Sequence, residues 1–256
     1  MTLNDQAALL RELHKPGSPL LLPNVWDAAS ARVVAEAGFP ALATASAAIS
    51  AMLGYPDGEG AAAEEMFAAA GRVIRVAQVP VTVDAEAGYG LSAGELVGRL
   101  IGIGAAGFNL EDSDPGSGGL VEMEEQARRI ADVRAAATGC GVDIVINARV
   151  DVFRGGRTET ADVIGEAVER GTRYLEAGAD CVYPIMARSE YAISALVSEL
   201  PGPVNTNCLP GGPSLDRLTE IGVARVSFGS GPHKMALGAL KAMSGRIRAH
   251  EDPFVA

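Results

Sequence analysis

Short apolar runs alternate with longer amphipathic or alanine-rich segments along the whole chain. Eight of these runs are bounded by turn residues and are too short for helices, so they predict strands. The predicted strands cover 20–23, 41–44, 79–83, 107–110, 143–147, 180–183, 203–206 and 224–228. The segments between them predict helices over 28–37, 61–77, 93–103, 122–137, 158–177, 189–200, 215–221 and 234–249. The pattern is therefore a strand followed by a helix, eight times.

Glycines separate several predicted helices from the strands that follow them. Gly38, Gly178 and Gly222 occupy such positions, where a left-handed residue ends a helix. Strands that are apolar along their length indicate a parallel sheet covered by helices, and eight units favour a closed (β/α)8 TIM-type barrel. We predict one barrel domain over 1–256, with 232–256 as a C-terminal helical segment. An open doubly wound sheet is the alternative, although the glycines at 116–119 do not match its dinucleotide-binding fingerprint.

Composition and charge narrow the function classes. The chain has 256 residues, 48% of them hydrophobic, and a net charge of -11, which disfavours binding to nucleic acid and to anionic lipid. No apolar run reaches the roughly 18 residues of a membrane span, and the N-terminus lacks a secretion signal pattern, so we expect a cytoplasmic protein. Three widely spaced cysteines argue against a disulfide framework and against a zinc site.

Acidic and basic side chains follow the predicted strands. Asp84 and Glu86 end the third strand, Glu111 ends the fourth and Arg149 ends the fifth. Because the carboxyl ends of barrel strands carry the chemistry, we expect these side chains to converge. The small and polar residues at other strand ends are predicted to bind substrate together with Arg149; they are Ser46, Ala47, Ala48, Asn205 and Asn207.

Several carboxylates at one site repel one another unless a cation neutralises them. The candidate ligands are oxygen atoms, with no histidine or thiolate in the acidic segments, which favours Mg²⁺, with Mn²⁺ as the alternative. We predict that Asp84 binds the metal directly. We predict that Glu86, Glu111 and Asp57 hold metal-bound waters.

Each assignment has a structural alternative. The carboxylates would then cap neighbouring helices, and Arg149 would form an ion pair with Asp151 or Glu111. Asn205 and Asn207 would satisfy loop backbone groups, and Ser46 would be an ordinary residue of a tight loop.

Three segments together resemble the isocitrate lyase and phosphoenolpyruvate mutase superfamily. They read D-A-E-A-G-Y-G at 84–90, L-E-D at 110–112 and N-A-R at 147–149, and the resemblance extends over nearly the whole chain. It implies a modified barrel whose last helix is exchanged between subunits of a homodimer or homotetramer. It also implies that Mg²⁺ chelates an α-keto acid or its enolate.

The resemblance assigns roles to individual residues. It implies that Asp84 binds the metal, with Glu86, Glu111 and Asp57 as outer acids. It implies that Arg149 contacts the substrate carboxylate and the developing oxyanion. Ser46 and the amides of Ala47 and Ala48 would form a cradle for the substrate carboxylate.

Two departures from this superfamily bear on the substrate. Segment 113–122 contains no Lys, Cys or His, whereas lyases for isocitrate-type substrates carry a cysteine acid or base there. Ile185 stands near the position of a glutamate in the methylisocitrate lyases. Both departures remove features that serve tricarboxylates, so the resemblance implies the branch that acts on smaller substrates.

The resulting hypothesis is a Mg²⁺-dependent lyase acting on a small α-keto or 2-hydroxy dicarboxylic acid. C–C cleavage or decarboxylation would pass through a metal-stabilised enolate, with Arg149, Glu111 and Asp57 as catalytic residues. One alternative is P–C bond chemistry on phosphonopyruvate or phosphoenolpyruvate, by a phosphonomutase or hydrolase. The other is a non-catalytic protein that binds a keto acid. In each case the expected partner is a small-molecule carboxylate.

Overall fold

A computed structural model describes residues 1–255; Ala256, the last residue of the predicted helical segment 232–256, lies outside the described residues. Parallel strands alternate with helices along the chain. The strands are β1 (Leu20–Leu22), β2 (Asn24–Val25), β3 (Leu42–Thr44), β4 (Val81–Asp84), β5 (Gly107–Glu111), β6 (Val145–Val150), β7 (Cys181–Pro184), β8 (Asn205–Asn207) and β9 (Arg225–Ser227). The first predicted strand is split into β1 and β2 by Pro23, which has no backbone N–H to donate.

One helix precedes the first strand, and the other helices lie after strands in the sequence. They are α1 (Leu3–Glu12), α2 (Ala28–Glu36), α3 (Ser46–Leu53), α4 (Ala63–Val76), α5 (Ala93–Ile103), α6 (Met123–Gly139), α7 (Ala161–Glu176), α8 (Glu190–Glu199), α9 (Leu215–Ile221) and α10 (Gly231–Arg248). A 3₁₀ turn covers Arg154–Gly156. Among the helices of residues 1–255, none combines the length and the apolar character that a membrane span requires.

The strands form two parallel sheets. One has the order β2-β3-β4-β5-β6-β7 and the other β1-β9-β8. The chain passes from one sheet to the other at Pro23, and a parallel bridge joins Val182 of β7 to Val204, next to β8. The predicted parallel α/β arrangement is therefore confirmed.

Side chains alternate between the two faces of these strands. Phe108, Ile146 and Val226 point to one face and belong to the main apolar core that the helices cover. Their neighbours Asn109, Asn147 and Arg225 point to the other face and are buried as well. Arg225 of β9 donates a hydrogen bond to Asn109 of β5, so this second face lines a polar interior between the two sheets.

Helix α1 was not predicted from the sequence. Thr2 and Asp5 form a capping box at its start, and Leu10 is fully buried. Leu10 packs with Leu20 and Val145, at the amino ends of β1 and β6, so α1 covers that end of the strands. A Cβ on Gly107 would lie 2.8 Å from Leu10, which explains the glycine there.

His14 follows α1 and is buried. Its Nδ1 lies 2.7 Å from the carbonyl oxygen of Leu10, which indicates that Nδ1 carries the proton. Burial, and next the positive charge of Arg225, lower the pKa of His14 from 6.5 to about 4. His14 is therefore neutral in the folded protein at neutral pH.

This shift predicts a pH-dependent contribution to stability. Because the folded pKa lies below the unfolded pKa, the contribution is complete above pH 6.5 and is lost as the pH falls towards 4. We expect the free energy of unfolding to lose about 3 kcal/mol in this window relative to His14→Gln. Urea denaturation of both proteins at a series of pH values measures the difference; a constant difference would contradict the prediction.

Candidate active site

A cavity of about 440 Å³ lies at the carboxyl ends of the strands. Its lining includes Ser46, Asp57, Asp84 and Arg149, four of the residues that the sequence singled out. A neighbouring cavity of about 510 Å³ is lined by Glu111, Ser113 and Asp151, among others. Arg154 lines both cavities, so they are adjacent.

Asp84 is held at its position by three donors. Its Oδ2 accepts hydrogen bonds from the Ser46 backbone N–H at 3.1 Å and the Ser46 hydroxyl at 2.7 Å. Its Oδ1 accepts from Asn109 Nδ2 at 3.4 Å. Ser46 is the first residue of α3, so the free N–H groups of a helix start adjoin the carboxylate.

Asp57 lies in the same cavity, although it comes from the segment after α3. Its Oδ1 lies 3.5 Å from the Ser46 hydroxyl oxygen, at the long limit of a hydrogen bond. Ser46 therefore connects two carboxylates that are 27 positions apart in the sequence. The predicted convergence of Asp57, Asp84 and Ser46 is present in the structure.

Glu86 is buried but turns away from this cavity. Its backbone has a φ of +49°, and its carboxylate accepts from the Glu59 N–H and, at 3.0 Å, from the Tyr89 hydroxyl. Burial, and next the charge of Asp84, raise the pKa of Glu86 to about 7. Asp84 and Glu86 were expected on one side of an extended chain, but β4 ends at Asp84.

Arg149 forms ion pairs with two acids. Its Nη1 lies 2.5 Å from Glu111 Oε2, while Nε and Nη2 lie 2.6 and 2.8 Å from the two oxygens of Asp151. Burial raises the pKa of Glu111, and the charge of Arg149 opposes that shift. The ion pairs of the structural alternative for Arg149 are thus present with both Asp151 and Glu111, while Arg149 also lines the cavity.

The predicted substrate-binding residues occupy different positions. Ser46, Ala47 and Asn207 line the cavity. Ala48 is buried, and its N–H bonds to the carbonyl of Ala45 at 3.2 Å. Asn205 is fully buried two residues deeper on β8, where its Oδ1 accepts from Ser227. The structure brings the first three together and separates Ala48 and Asn205 from the cavity.

Among the cavity residues that were not singled out by the sequence are Arg154, Met186 and Lys234. Arg154 is half-exposed and donates to Ser113 Oγ at 3.0 Å and Asp151 Oδ2 at 3.1 Å. Met186 has a φ of +70°, uncommon for a side chain of its size, and Lys234 lies in the first turn of α10. The sequence could have indicated Arg154, because it lies in the loop directly after the N-A-R segment.

The loop from Ser113 to Leu120 lines the second cavity. Its two ends form an antiparallel bridge, and the Ser113 hydroxyl donates to Asp151 at 2.6 Å. Within the loop, Asp114 accepts from the Ser117 hydroxyl and the Gly116 N–H. The loop is therefore attached at its base and closed on itself at its tip.

Comparison with known proteins matches residues 10–248 to the phosphoenolpyruvate phosphomutase family model. The chain belongs to the phosphoenolpyruvate phosphomutase family. An uncharacterised protein of Mycobacterium tuberculosis is 34% identical over 228 residues, which cover 89% of this chain and 84% of that protein. The 2,3-dimethylmalate lyase of Eubacterium barkeri is 31% identical over 216 residues, or 81% of this chain and 73% of that enzyme.

A solved structure is more similar in sequence. A Burkholderia cenocepacia J2315 protein, provisionally named a phosphonomutase, has 43% identity and a TM-score of 0.91, covering 94% of this chain and 100% of that chain. These matches confirm the resemblance to the isocitrate lyase and phosphoenolpyruvate mutase superfamily. The relationship to a named lyase agrees with the prediction of a lyase-type enzyme.

The acids of this phosphomutase-family chain fit a hard cation such as Mg²⁺. Within residues 1–255, no three acidic, histidine or cysteine side chains form a ready-made metal cage. Mg²⁺ needs only one or two carboxylates, because waters and substrate oxygens complete its coordination. Asp84 and Asp57 provide such a pair in one cavity, whereas Glu86 and Glu111 do not line that cavity.

Removing Arg149 is expected to leave two buried acids, Glu111 and Asp151, with the half-exposed Arg154 as their remaining cation. We expect Arg149→Met to lower the free energy of unfolding by roughly 3–5 kcal/mol. The control is Arg173→Met, which removes an exposed pair with Glu124 and is expected to change stability by less than about 1 kcal/mol. Urea denaturation at pH 7 compares them, and equal effects would show that the buried network does not depend on Arg149.

Proposed function

We propose that this family member is a Mg²⁺-dependent lyase that acts on a small α-keto or 2-hydroxy dicarboxylic acid. C–C cleavage or decarboxylation would give a pyruvate-like product through an enolate. The observation that carries the proposal is the position of Asp84, fixed by Ser46 at the start of α3, in one cavity with Asp57 and Arg149.

Asp84, with Asp57 beside it, would hold the metal, and Mn²⁺ has the same ligand preference. A divalent cation at this site supplies Lewis acidity that stabilises negative charge on a substrate oxygen. Arg149 is held rigid by Glu111 and Asp151, so its guanidinium stabilises a carboxylate or oxyanion in the cavity without rearranging.

The remaining polar residues of the cavity bind substrate or exchange protons. Ser46 and Ala47, at the start of α3, bind the substrate carboxylate, and Asn207, which lines the same cavity, orients it. Asp57 is the carboxylate of this cavity that is placed to exchange a proton with substrate or water, and Glu111 would do so from the adjacent cavity, beside Arg149.

Apolar side chains form part of the cavity wall, which supports a small substrate. Ile185, Met186, Leu209 and Phe228 contribute to it. Such a wall accommodates an alkyl substituent better than the extra carboxylate of a tricarboxylic acid. The relationship to a 2,3-dimethylmalate lyase supports the same substrate size.

P–C bond chemistry is the second candidate. The 43% identical structure is named for a phosphonomutase, and Lys234 with the start of α10 adds positive charge to the cavity. Phosphonopyruvate carries an anionic group that Lys234 would bind.

We also infer a complete (β/α)8 barrel assembled into a homodimer or homotetramer. The Val182–Val204 bridge and the passage through Pro23 support closure of the two sheets. Helix α10 supports an exchange between subunits, because only His233 on it is buried. Its exposed apolar side chains are Met235, Leu237, Leu240 and Ile247.

The assembly predicts that charge on α10 separates the subunits. We expect Leu237→Asp combined with Leu240→Asp to reduce the mass of the particle in sedimentation velocity, because both side chains would be buried in the interface. Tyr191→Asp, an exposed apolar position on α8, is the control and is expected to keep the mass. A wild-type monomer would contradict the assembly.

Product analysis tests the catalytic proposal directly. We expect NMR to detect a pyruvate-like product from oxaloacetate or substituted malates in the presence of Mg²⁺, and none from 2-methylisocitrate. Asp84→Ala is expected to reduce kcat/KM by about 100-fold or more, since it removes the metal ligand. Asp132→Asn, an exposed acid on α6, is the control and is expected to retain activity.

The other outcomes separate the alternatives. Turnover of phosphonopyruvate alone would favour P–C bond chemistry. No turnover of any substrate, together with a higher melting temperature in pyruvate and Mg²⁺, would contradict the lyase proposal and favour a keto-acid-binding protein.

A further inference from the structure

Arg225 is an unusual residue in the polar interior. It lies on β9, and its side chain is fully buried. Among residues 1–255 it forms no ion pair, and its Nε and Nη1 have no hydrogen-bond partner. A buried charge without a counter-ion costs several kcal/mol, and an apolar side chain of similar volume would stabilise the fold more. Fold stability therefore does not account for Arg225, and its role is inferred from the groups to which it is hydrogen-bonded.

One hydrogen-bonded chain leads from Arg225 to Asp84. Arg225 Nη2 donates to Asn109 Oδ1 at 3.3 Å, and Asn147 Nδ2 donates to the same oxygen at 2.8 Å. Asn109 Nδ2 in turn donates to Asp84 Oδ1 at 3.4 Å. Four strands, β4, β5, β6 and β9, thus contribute to the position of one carboxylate.

The hydrogen bonds of this chain run in one direction, and Arg225 at one end and the Asp84 carboxylate at the other both require it. A guanidinium has only donors, so the atom of Asn109 that faces Arg225 must be Oδ1, and Nδ2 must face Asp84. Asn147 cannot fix the direction, because an amide that rotates by half a turn accepts where it had donated. A reversed Asn109 would direct its carbonyl oxygen at the Asp84 carboxylate and repel it.

We propose that Arg225 is a positioning residue, which acts through Asn109 to hold Asp84 in the orientation that binds a divalent cation. This inference rests on the proposed function, since it assumes that Asp84 is a metal ligand. It assigns no contact with substrate to Arg225. Groups that orient metal ligands typically change metal affinity by about 10- to 100-fold when they are lost.

The sign of the effect separates positioning from simple electrostatics. Arg225 carries a positive charge, so its removal would strengthen cation binding if charge alone mattered. If it positions Asp84, its removal weakens binding. We expect Mn²⁺ titrations followed by electron paramagnetic resonance to show a Kd at least about tenfold higher for Arg225→Gln. Arg225→Lys, which keeps a charged group with donors only, is expected to restore part of the affinity.

A coupling experiment tests the route through Asn109. We expect Asn109→Leu to weaken Mn²⁺ binding by itself and to abolish the further effect of Arg225→Gln, because the chain is already interrupted. Val226→Ala is the control on the same strand. Its side chain lies on the opposite face, in the apolar core, so it lowers the melting temperature and leaves the Kd unchanged.

The outcomes distinguish the two proposals. Wild-type protein that binds no Mn²⁺ would overturn the proposed function and this inference together. Wild-type binding with an unchanged or lower Kd in folded Arg225→Gln would overturn the inference alone. Additive effects of Arg225→Gln and Asn109→Leu would also overturn it, because they would exclude action through Asn109.

Discussion

The alternation of side chains along parallel strands determines the organisation of this protein. Every second residue must face the helices, and the others must face the space between the two sheets. Phe108 and Ile146 fill the first set of positions and form the apolar core, while Asn109 and Asn147 fill the second. At the level of these asparagines the interior is therefore polar, and it leads to the carboxylates at the strand ends, whereas an apolar cluster with Leu10 and Val145 fills its amino end. One face of these strands packs the apolar core that stabilises the fold, and the other face carries the polar side chains that lead to the candidate active site.

Arg149 and Arg225 are both buried in that interior, but they differ in whether an acid neutralises their charge. Arg149 is paired with Glu111 and Asp151, so its position is fixed by ionic contacts. Arg225 lies deeper, and its one side-chain hydrogen bond within residues 1–255 is to the amide oxygen of Asn109. Both guanidiniums are donors of fixed shape, but one neutralises acids and the other orients an amide. The difference follows from depth: carboxylates occur at the strand ends, where cavity and loops admit them.

Much of the fold was predictable from the sequence, because strand and helix lengths follow from the spacing of apolar runs. The two unpredicted helices have weaker signals. Helix α3 is apolar around most of its circumference, and Ala45 offers no side-chain cap, so the segment resembled a small-residue loop. Helix α1 precedes the repeating pattern, and its burial depends on Leu10 meeting strands that are distant in the sequence. The residues of α1 alone do not reveal that contact.

The candidate site was predictable to the level of residue type and strand. Asp84, Asp57 and Ser46 converge as expected, because strand order brings their loops to one edge. The orientation of Glu86 was not predictable. Residues two apart share one side only in an extended chain, and the backbone of Glu86 is in the left-handed region. Asn205 was placed on the correct strand, but its depth depends on register between strands, which a single sequence does not reveal.

The loop between Ser113 and Leu120 has a consequence for the diversity of related proteins. Its base is tied to Asp151 and bridged, while the hydrogen bonds of its tip, among residues 1–255, are made within the loop itself. A tip of different length or composition would therefore change one wall of the site without disturbing Asp84 or the strands beneath it. A scaffold arranged in this way would keep the carboxylates of the candidate site constant while a short surface segment beside them is exchanged.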